Sequence, residues 1–173
     1  PLGGREGSHH FHGADRMNLA DFICFEATLP DLAVTDRDGV IEAMVASLNK
    51  AGRLKRGSAK EVVKALIDRE NEASTGIGKG VAVPHVKHNC VKEVTGVVGR
   101  STAGIDFHSL DKQPVFSIIL LISPADAADQ HLKAMESLFR HLQQEKFRRF
   151  LRQCQTAESI EDLLREADTR PTW

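Results

Sequence analysis

Apolar residues recur at helical spacing in two consecutive stretches of the first half of the chain. After Asp36 they fall on one helical face, at Val40, Ile41, Met44, Val45 and Leu48. After Ser58 they form a second stripe, at Val62, Val63, Leu66 and Ile67. Positions three and four residues apart share a face of an α-helix, so the pattern predicts two amphipathic helices. We expect the first to end near Gly52 and the second at about Ala73. Ser58 and Glu61 predict a capping box at the start of the second helix.

Strand patterns follow these helices. Residues 81–83 are apolar and precede Pro84, which ends a strand. Residues 94–101 are rich in β-branched side chains, and residues 114–123 are almost continuously apolar. A continuous apolar run of this length is typical of a strand that helices cover on both faces.

Helical spacing returns near the end of the chain. Residues 126–144 carry a further apolar stripe, and Thr156 is a candidate cap for a last helix with Ile160, Leu163 and Leu164. Helical and strand patterns together predict a layered α/β domain. No internal repeat and no second composition regime interrupts residues 17–173, so we expect one domain there.

Residues 1–16 have a different character. They mix glycine, charge and three histidines (His9, His10 and His12) without an apolar period. This predicts a disordered tail or a remnant of expression cloning, with Met17 as a candidate native start. Adventitious metal binding by the three histidines is a less favoured alternative.

Composition and charge exclude several classes of function. Lys+Arg of 23 against Asp+Glu of 24 leaves a net charge of -1, which provides no field to hold a polyphosphate backbone. One Trp and no Tyr leave few platforms for stacking bases and exclude a tyrosine nucleophile. We therefore expect no nucleic-acid partner.

The cysteines and the longest apolar run indicate the compartment. Cys24, Cys90 and Cys154 lie far apart and form no CxxC motif, as expected of structural thiols in a reducing cytoplasm. The apolar run at residues 115–122 is far shorter than the roughly 20 residues that cross a bilayer. We expect a soluble cytoplasmic protein with no direct membrane insertion.

The densest concentration of candidate chemistry lies between Arg69 and His85. Residues 74–80 read STGIGKG, and glycines let a backbone approach a ligand closely and aim its amides at an anion. The candidate anion-binding residues are Ser74, Thr75, Gly76, Gly78 and Gly80. The spacing is not a Walker A motif and the loop runs into a strand, so nucleotide binding is unsupported. An ordinary tight turn is the alternative interpretation.

Two histidines accompany this loop. His85 follows Pro84 at a strand end, where an imidazole can face solvent or a partner, and His131 lies in the early turns of a later helix. With His88 they form an alternative zinc set, but no HExxH spacing or cysteine pair supports it. No carboxylate cluster for Mg²⁺ is visible, so we expect neither a metal nor another cofactor.

The other polar features are expected in solvent. His108 and His141 are predicted on solvated faces, and residues 145–150 at a charged, amphipathic helix end.

These residues resemble the enzyme IIA domain of the fructose and mannitol class of the phosphoenolpyruvate-dependent phosphotransferase system, most nearly its nitrogen-regulatory form. The resemblance covers residues 18–167. It rests on the Arg69-Glu70 pair ahead of STGIGKGVAVPH, Lys87, the stretches IDFHSLDKQPV and ILLISPAD, and His131-Leu132. It implies a mixed β-sheet flanked by helices in a single compact domain of the phosphotransferase/anion-transport type.

The resemblance also implies a role for each site residue. His85 would accept a phosphoryl group from a phosphohistidine on a small carrier protein similar to HPr. His131 looks like the second active-site histidine, which hydrogen-bonds the phosphoryl oxygens, and Arg69 looks like the cationic residue. Val86 stands where the family often has Gly or Ala, a departure that would crowd the approach of the carrier. An apolar rim of Ile77, Val81 and Val86 would suit a transient partner, with Val81 favoured as a core residue instead.

The chemistry is consistent with these residue types. A neutral imidazole is the nucleophile that phosphoryl transfer needs, and a histidine of ordinary pKa, about 6.5, is mostly neutral at pH 7. The transferred group passes through a loose, in-line state, so positioning and electrostatic stabilisation by amides, Arg69 and His131 suffice.

Four functions remain open. A free-standing regulatory phosphoryl carrier is favoured, because no transporter-like segment follows. A sugar-specific enzyme IIA that donates to a separate IIB transporter component is the second. A binding module that has lost transfer is the third, and a zinc hydrolase is the least favoured alternative.

Overall fold

A five-stranded mixed sheet flanked by helices forms the centre of the computed structural model, which describes residues 16–173. The strands are β1 (Gly76–Gly78), β2 (Val81–Ala82), β3 (His85–Lys87), β4 (Thr95–Ile105) and β5 (Val115–Ser123). The helices are α1 (Leu19–Phe22), α2 (Arg37–Lys50), α3 (Ala59–Glu72), α4 (Ala128–Leu142), α5 (Glu145–Gln153) and α6 (Ala157–Thr169), with a short 3-10 helix at Phe25–Ala27. The predicted α/β class and mixed sheet are confirmed.

Strand β5 is central and buried on both faces, as its apolar run predicts. Ile118, Leu120 and Ile122 belong to the core cluster that also contains residues of α2 and α3. Ile119 and Leu121 belong to the opposite cluster, with residues of α1, α4, α5 and α6. Successive side chains of a strand point to opposite faces, so one continuous apolar segment supplies both cores.

Strands β2 and β3 follow one edge of β5 in succession. Both run parallel to it, with Val81 opposite Ser117 and His85 opposite Leu121. Pro84 lies between them, and its carbonyl still accepts a hydrogen bond from the amide of Leu121 at 2.9 Å. This interrupted edge delivers His85 to the end of the sheet beside the last residues of β5.

The other edge of β5 pairs with the antiparallel strand β4. Isolated parallel bridges connect β4 to the N-terminal segment, at Ile23 and Gly96 and at Leu29 and Gly99. The sheet is therefore mixed, with parallel and antiparallel neighbours on the two sides of one central strand.

The helix boundaries agree with the predicted stripes, but the capping box at Ser58 is wrong. Ser58 adopts a helical backbone and makes no cap bond to the helix, and its hydroxyl instead donates to the carbonyl of Lys55. Thr156 does cap α6, because its side chain accepts from the amide of Ser159.

One expectation of a solvated residue, that for His141, needs correction. His141 is buried, with 1% of its surface exposed, because the α4 face that carries it packs into the second core beside Phe147. The charged side chains of Glu145, Lys146 and Arg149 are exposed as predicted, but residues 145–150 begin a separate helix, α5, whose Phe147 is buried. His108 is exposed as predicted.

All three cysteines are free; Cys24 and Cys90 are buried and Cys154 is partly buried. Within residues 16–173, none of the helices combines the length and the apolar character that crossing a bilayer requires. The tail predicted at residues 1–16, with its three histidines, lies outside the described residues apart from Arg16.

Candidate functional site

His85 presents one nitrogen of a half-buried imidazole at the start of β3. Its Nδ1 lies 2.7 Å from the carbonyl oxygen of Val83. A carbonyl oxygen only accepts hydrogen bonds, so Nδ1 carries the ring proton and donates it. The neutral ring is then left with a bare lone pair on Nε2. A nitrogen of this kind can act as a nucleophile without a separate base.

His131 lies beside His85 although the two are far apart in sequence. It is in the first turn of α4, and the two ring centroids are 5.8 Å apart with the planes inclined by 37°. Partial burial lowers the pKa of His131 from its usual 6.5, and the nearby His85 and Lys87 lower it further. The second imidazole is therefore held towards its neutral form. Its Nδ1 lies 2.6 Å from the Oγ of Ser123, the last residue of β5.

Arg69 lies in the last turn of α3, a helix that packs against β3. Its Nη1 donates to the carbonyl oxygen of Ala73 at 2.9 Å, just before the glycine-rich segment. Within the described part of the chain, the guanidinium hydrogen-bonds this carbonyl and neither histidine. The structure thus places Arg69 at the base of the loop rather than on the imidazoles.

The predicted glycine-rich loop is a short hairpin. Strands β1 and β2 pair antiparallel, with Gly76 opposite Ala82. The turn between them needs left-handed backbone, with φ of 86° at Gly78 and 80° at Gly80. Glycine adopts this conformation at no steric cost, which explains its presence at both positions.

Several amides of this segment are already used inside the protein. The amide of Gly76 donates to Ser74 Oγ, whose hydroxyl donates in turn to the carbonyl of Phe107. The amide of Lys79 donates to a carboxylate oxygen of Asp111 at 3.0 Å. These hydrogen bonds tie the hairpin to neighbouring segments, and they remove those amides from the set of free anion donors that the glycine content suggested.

Glu70 is the residue of this site whose role the sequence pattern did not indicate. Its carboxylate is buried, with 3% of the residue exposed, and it accepts hydrogen bonds from both the amide and the hydroxyl of Thr75. The amide of Val83 donates to the Thr75 carbonyl at 3.1 Å. Glu70 thus connects the end of α3, through Thr75, to the backbone that orients His85. The available signal was an acidic residue at an otherwise apolar position of the α3 stripe.

His88 does not join the other two histidines. Its Nδ1 accepts from the amide of Cys90 at 3.0 Å, and its Nε2 lies 3.7 Å from a carboxylate oxygen of Glu61. Among residues 16–173, no group of three or more His, Cys, Asp or Glu side chains has metal-binding geometry. The described residues therefore do not present His85, His88 and His131 as a zinc-binding group.

The residues around the histidines differ in exposure. Ile77 and Leu132 are exposed, at 43% and 56%, whereas Val81 is buried as favoured above. Val86 points away from the His85 face and packs against the core of α2 and α3. Val86 is partly buried there, on the opposite face of β3 from His85.

The arrangement suits bond formation to an electrophilic, anionic group. It offers a bare imidazole nitrogen, a second imidazole and, on the same face of β3 as His85, the ammonium of Lys87. A lone pair beside positively charged and hydrogen-bonding groups attracts such a group and stabilises its charge during transfer.

Residues 23–167 match a family model described as "Phosphoenolpyruvate-dependent sugar phosphotransferase system, EIIA 2". The fructose-specific EIIABC component of Bacillus subtilis is 35% identical over 152 residues, which are 88% of this chain and 24% of that protein. A nitrogen regulatory protein of Bradyrhizobium diazoefficiens is 33% identical over 148 residues, which are 86% of this chain and 95% of that protein. The chain therefore spans about a quarter of the Bacillus protein and nearly all of the Bradyrhizobium one.

Solved structures show the same fold. The crystal structure of nitrogen regulatory protein IIA-Ntr from Neisseria meningitidis superposes with a TM-score of 0.74 at 28% identity, covering 83% of this chain and 97% of that one. The IIA mannitol domain of Escherichia coli superposes with a TM-score of 0.68 at 21% identity, covering 80% and 96%, and supports the fold alone. Sequence and architecture thus agree, and the chain belongs to the EIIA 2 family of the phosphoenolpyruvate-dependent sugar phosphotransferase system.

Proposed function

We propose that residues 17–173 form a cytoplasmic phosphoryl carrier in which His85 accepts a phosphoryl group through Nε2 from a phosphohistidine of an HPr-like protein. Membership of a family whose domains transfer phosphoryl groups through histidine supports the reaction. The assignment of His85 as acceptor, the HPr-like donor and the regulatory role go beyond family membership and are our proposal.

The observation that carries the proposal is the hydrogen bond from His85 Nδ1 to the carbonyl of Val83. The Nε2 lone pair forms the new N–P bond while the donor's N–P bond breaks, and the electron pair of that bond returns to the donor imidazole. The phosphorylated ring keeps its Nδ1 proton and becomes positively charged. The Val83 carbonyl stabilises that charge, as a hydrogen bond to an ionised donor is stronger than a neutral one.

His131, Lys87 and Arg69 supply the electrostatic part of the mechanism. The transition state spreads negative charge over the equatorial phosphoryl oxygens, so catalysis is mainly positioning and charge stabilisation. His131 is close enough to His85, at 5.8 Å between ring centroids, to bond such an oxygen. Arg69 contributes a permanent positive charge from the base of the hairpin, where Ser74, Thr75, Gly76, Gly78 and Gly80 form the support.

Names among similar proteins support the choice of partners. A multiphosphoryl transfer protein of Escherichia coli O157:H7 is 28% identical over 147 residues, which are 85% of this chain. A solved complex of Escherichia coli contains enzyme IIA of the mannitol system with its phosphorylated IIB. We infer a phosphocarrier donor and a protein acceptor for this chain too, with no nucleic acid involved.

A regulatory role is favoured over sugar uptake. Nitrogen regulatory proteins recur among the relatives, and the Bradyrhizobium one matches over 95% of its length. The IIA-Ntr structure is also the more similar of the two compared above. The phosphorylated state of His85 would then act as a signal read by a downstream protein.

Intact-mass measurement tests the acceptor. The chain is incubated with an HPr-like carrier charged from phosphoenolpyruvate, alongside His85→Ala and the matched control His108→Ala, which removes an exposed histidine. We expect the wild type and His108→Ala to gain the mass of one phosphoryl group and His85→Ala to gain none. A wild type without added mass would overturn the proposal and favour a transfer-inactive binding module.

A fructose-type enzyme IIA is the second candidate, because fructose-specific components of Bacillus subtilis and Haloferax volcanii are 35% and 33% identical to the chain. The phosphorylated chain offered to a fructose-type IIB component separates the two roles. Rapid loss of the phosphoryl group to IIB would establish sugar uptake, whereas retention in its presence supports regulation.

A further inference from the structure

We propose that the hydroxyl of Ser123 is a positioning group that donates to Nδ1 of His131 and thereby places the ring's N–H on Nε2, ready to bond a phosphoryl oxygen. This inference rests on the proposed function, because it assigns a tautomer to the second histidine of that site.

The backbone holds Ser123 in one place. The residue is fully buried, it pairs with Lys87 across the sheet, and its carbonyl accepts from the amide of His88 at 2.8 Å. Its Oγ lies 2.6 Å from His131 Nδ1, and in the described part of the chain this nitrogen is the hydroxyl's hydrogen-bond partner. A hydroxyl fixed by a strand end can therefore orient a ring carried by the following helix.

The direction of this hydrogen bond decides what the other nitrogen can do. A neutral imidazole has a single N–H, and its partner on one nitrogen selects which nitrogen carries it. If Nδ1 carried the proton, Nε2 would turn a lone pair towards the phosphoryl oxygens and repel them. If the hydroxyl donates to Nδ1, Nε2 carries the proton and is a donor to those oxygens.

The two histidines are thus held as opposite tautomers, because the partner of one Nδ1 accepts a hydrogen bond and the partner of the other donates one. The Val83 carbonyl accepts from His85 Nδ1 and leaves its Nε2 bare as the nucleophile. The Ser123 hydroxyl donates to His131 Nδ1 and leaves its Nε2 protonated as a donor. Partial burial and the neighbouring His85 and Lys87 lower the pKa of His131, so the neutral ring is the form whose tautomer matters.

Long-range ¹H–¹⁵N NMR of the imidazoles tests the proposal on the unphosphorylated chain, where no transfer is needed. The variants are Ser123→Ala, Ser123→Thr, which retains a hydroxyl, and the control Ser137→Ala. Ser137 is a buried serine further along α4 whose Oγ has no hydrogen-bond partner among the described residues. Phosphoryl uptake from the charged carrier is measured on the same proteins.

We expect the wild type to show His131 protonated on Nε2 and His85 protonated on Nδ1. In Ser123→Ala the His131 Nδ1 signal should move to that of an unbonded nitrogen. Phosphoryl uptake should fall about two- to tenfold, the effect of one net hydrogen bond. Ser123→Thr should restore both, and Ser137→Ala should match the wild type.

Two results would overturn the inference: a wild type with the His131 proton on Nδ1, or a Ser123→Ala variant whose uptake equals that of Ser137→Ala. If the wild type takes up no phosphoryl group, the proposed function fails and the catalytic role of Ser123 with it. The NMR arm still reports whether the hydroxyl sets the tautomer, so the two failures are distinguishable.

Discussion

The carboxylate of Glu70 accepts both the amide and the hydroxyl hydrogen bond of Thr75, and both residues are buried. The pair connects the last turn of α3 to the strand that begins the hairpin. Because Thr75 also pairs through its carbonyl with Val83, the contact fixes the backbone whose carbonyl orients His85.

Replacing Glu70 by alanine should therefore affect both stability and transfer. The change leaves the buried donors of Thr75 unpaired, and an unsatisfied buried polar group costs roughly 1–3 kcal/mol. We expect Glu70→Ala to lower the free energy of unfolding in urea by about that amount and to slow phosphoryl uptake. Glu72→Ala, which alters an exposed carboxylate of the same helix, is the control. Equal stability of the two variants would contradict the role assigned to Glu70.

Gly76 is required by the close approach of another side chain. A Cβ built on Gly76 would overlap the Oγ of Ser109, which is buried. Gly76→Ala should destabilise the chain by about 1–3 kcal/mol, the usual cost of overpacking. In the double variant with Ser109→Gly the loss should be smaller than the sum of the two single changes, because the clash is removed. Strict additivity in thermal unfolding would count against this packing.

The fold could be predicted from local patterns, and the closeness of His85 and His131 from the family resemblance. The apolar run of β5 and the stripes of α2 and α3 needed only periodicity, and the motif around His85 was sufficient for the family resemblance. The burial of His141 could not be predicted, because a helical histidine is expected to face solvent unless another helix packs over it. In the structure α5 covers it, with Phe147 against its ring.

The hydrogen-bond network of the site lay beyond sequence reasoning for a similar reason. Glycine content predicted free amides, but Ser74 and Asp111 satisfy two of them from positions that the sequence did not connect. Ser123 has the pattern of the end of an apolar strand, and only the packing of α4 against β5 brings its hydroxyl to His131.

The buried His141 should make the chain sensitive to acid. Burial, with a smaller effect from Arg140, lowers the pKa of His141 from its usual 6.5, and Asp168 opposes this only in part. The unfolded chain therefore binds the proton more readily, so this contribution to stability is present above about pH 6.5 and is lost progressively as the pH falls from there through the lower pKa of the folded state.

His141→Leu should reduce this dependence. Neither ring nitrogen of His141 has a hydrogen-bond partner among the described residues, so an apolar replacement should stabilise the chain by about 1 kcal/mol or more. The gain in urea unfolding should be larger at about pH 5.5 than at about pH 7.5. His108→Leu, which removes an exposed histidine, is the matched control for this substitution. A gain that is equal at both pH values would rule out titration of His141 as the cause.

Lys87 should influence the titration of His131. Its positive charge is one of the causes that lower the pKa of His131, after burial and His85. In Lys87→Gln we expect that pKa to move up towards its ordinary value, measured by NMR titration of the ring. Lys112→Gln, a change at an exposed turn residue, should not move it. An unchanged His131 pKa in Lys87→Gln would show that the ammonium does not act on the ring.

Substitutions of Arg69 can distinguish a structural role of its side chain from an electrostatic one. Its guanidinium donates to the exposed carbonyl of Ala73, a surface hydrogen bond that contributes little to stability. In other enzymes one well-aimed donor contributes roughly a hundredfold or more in rate, and a positive charge at the base of the hairpin should contribute a part of that effect during transfer. Arg69→Gln should therefore unfold at nearly the same urea concentration as the wild type while taking up the phosphoryl group at least about tenfold more slowly.

Arg69→Lys should recover part of the rate, because an ammonium retains the charge but not the planar fork of the guanidinium. Lys64→Gln, which removes a cation paired with Asp68 on the exposed face of α3, serves as the control and should transfer normally. If Arg69→Gln lost stability and rate together while Arg69→Lys recovered neither, the residue would act by holding the end of α3, and the positive charge at the site would have to come from Lys87 instead.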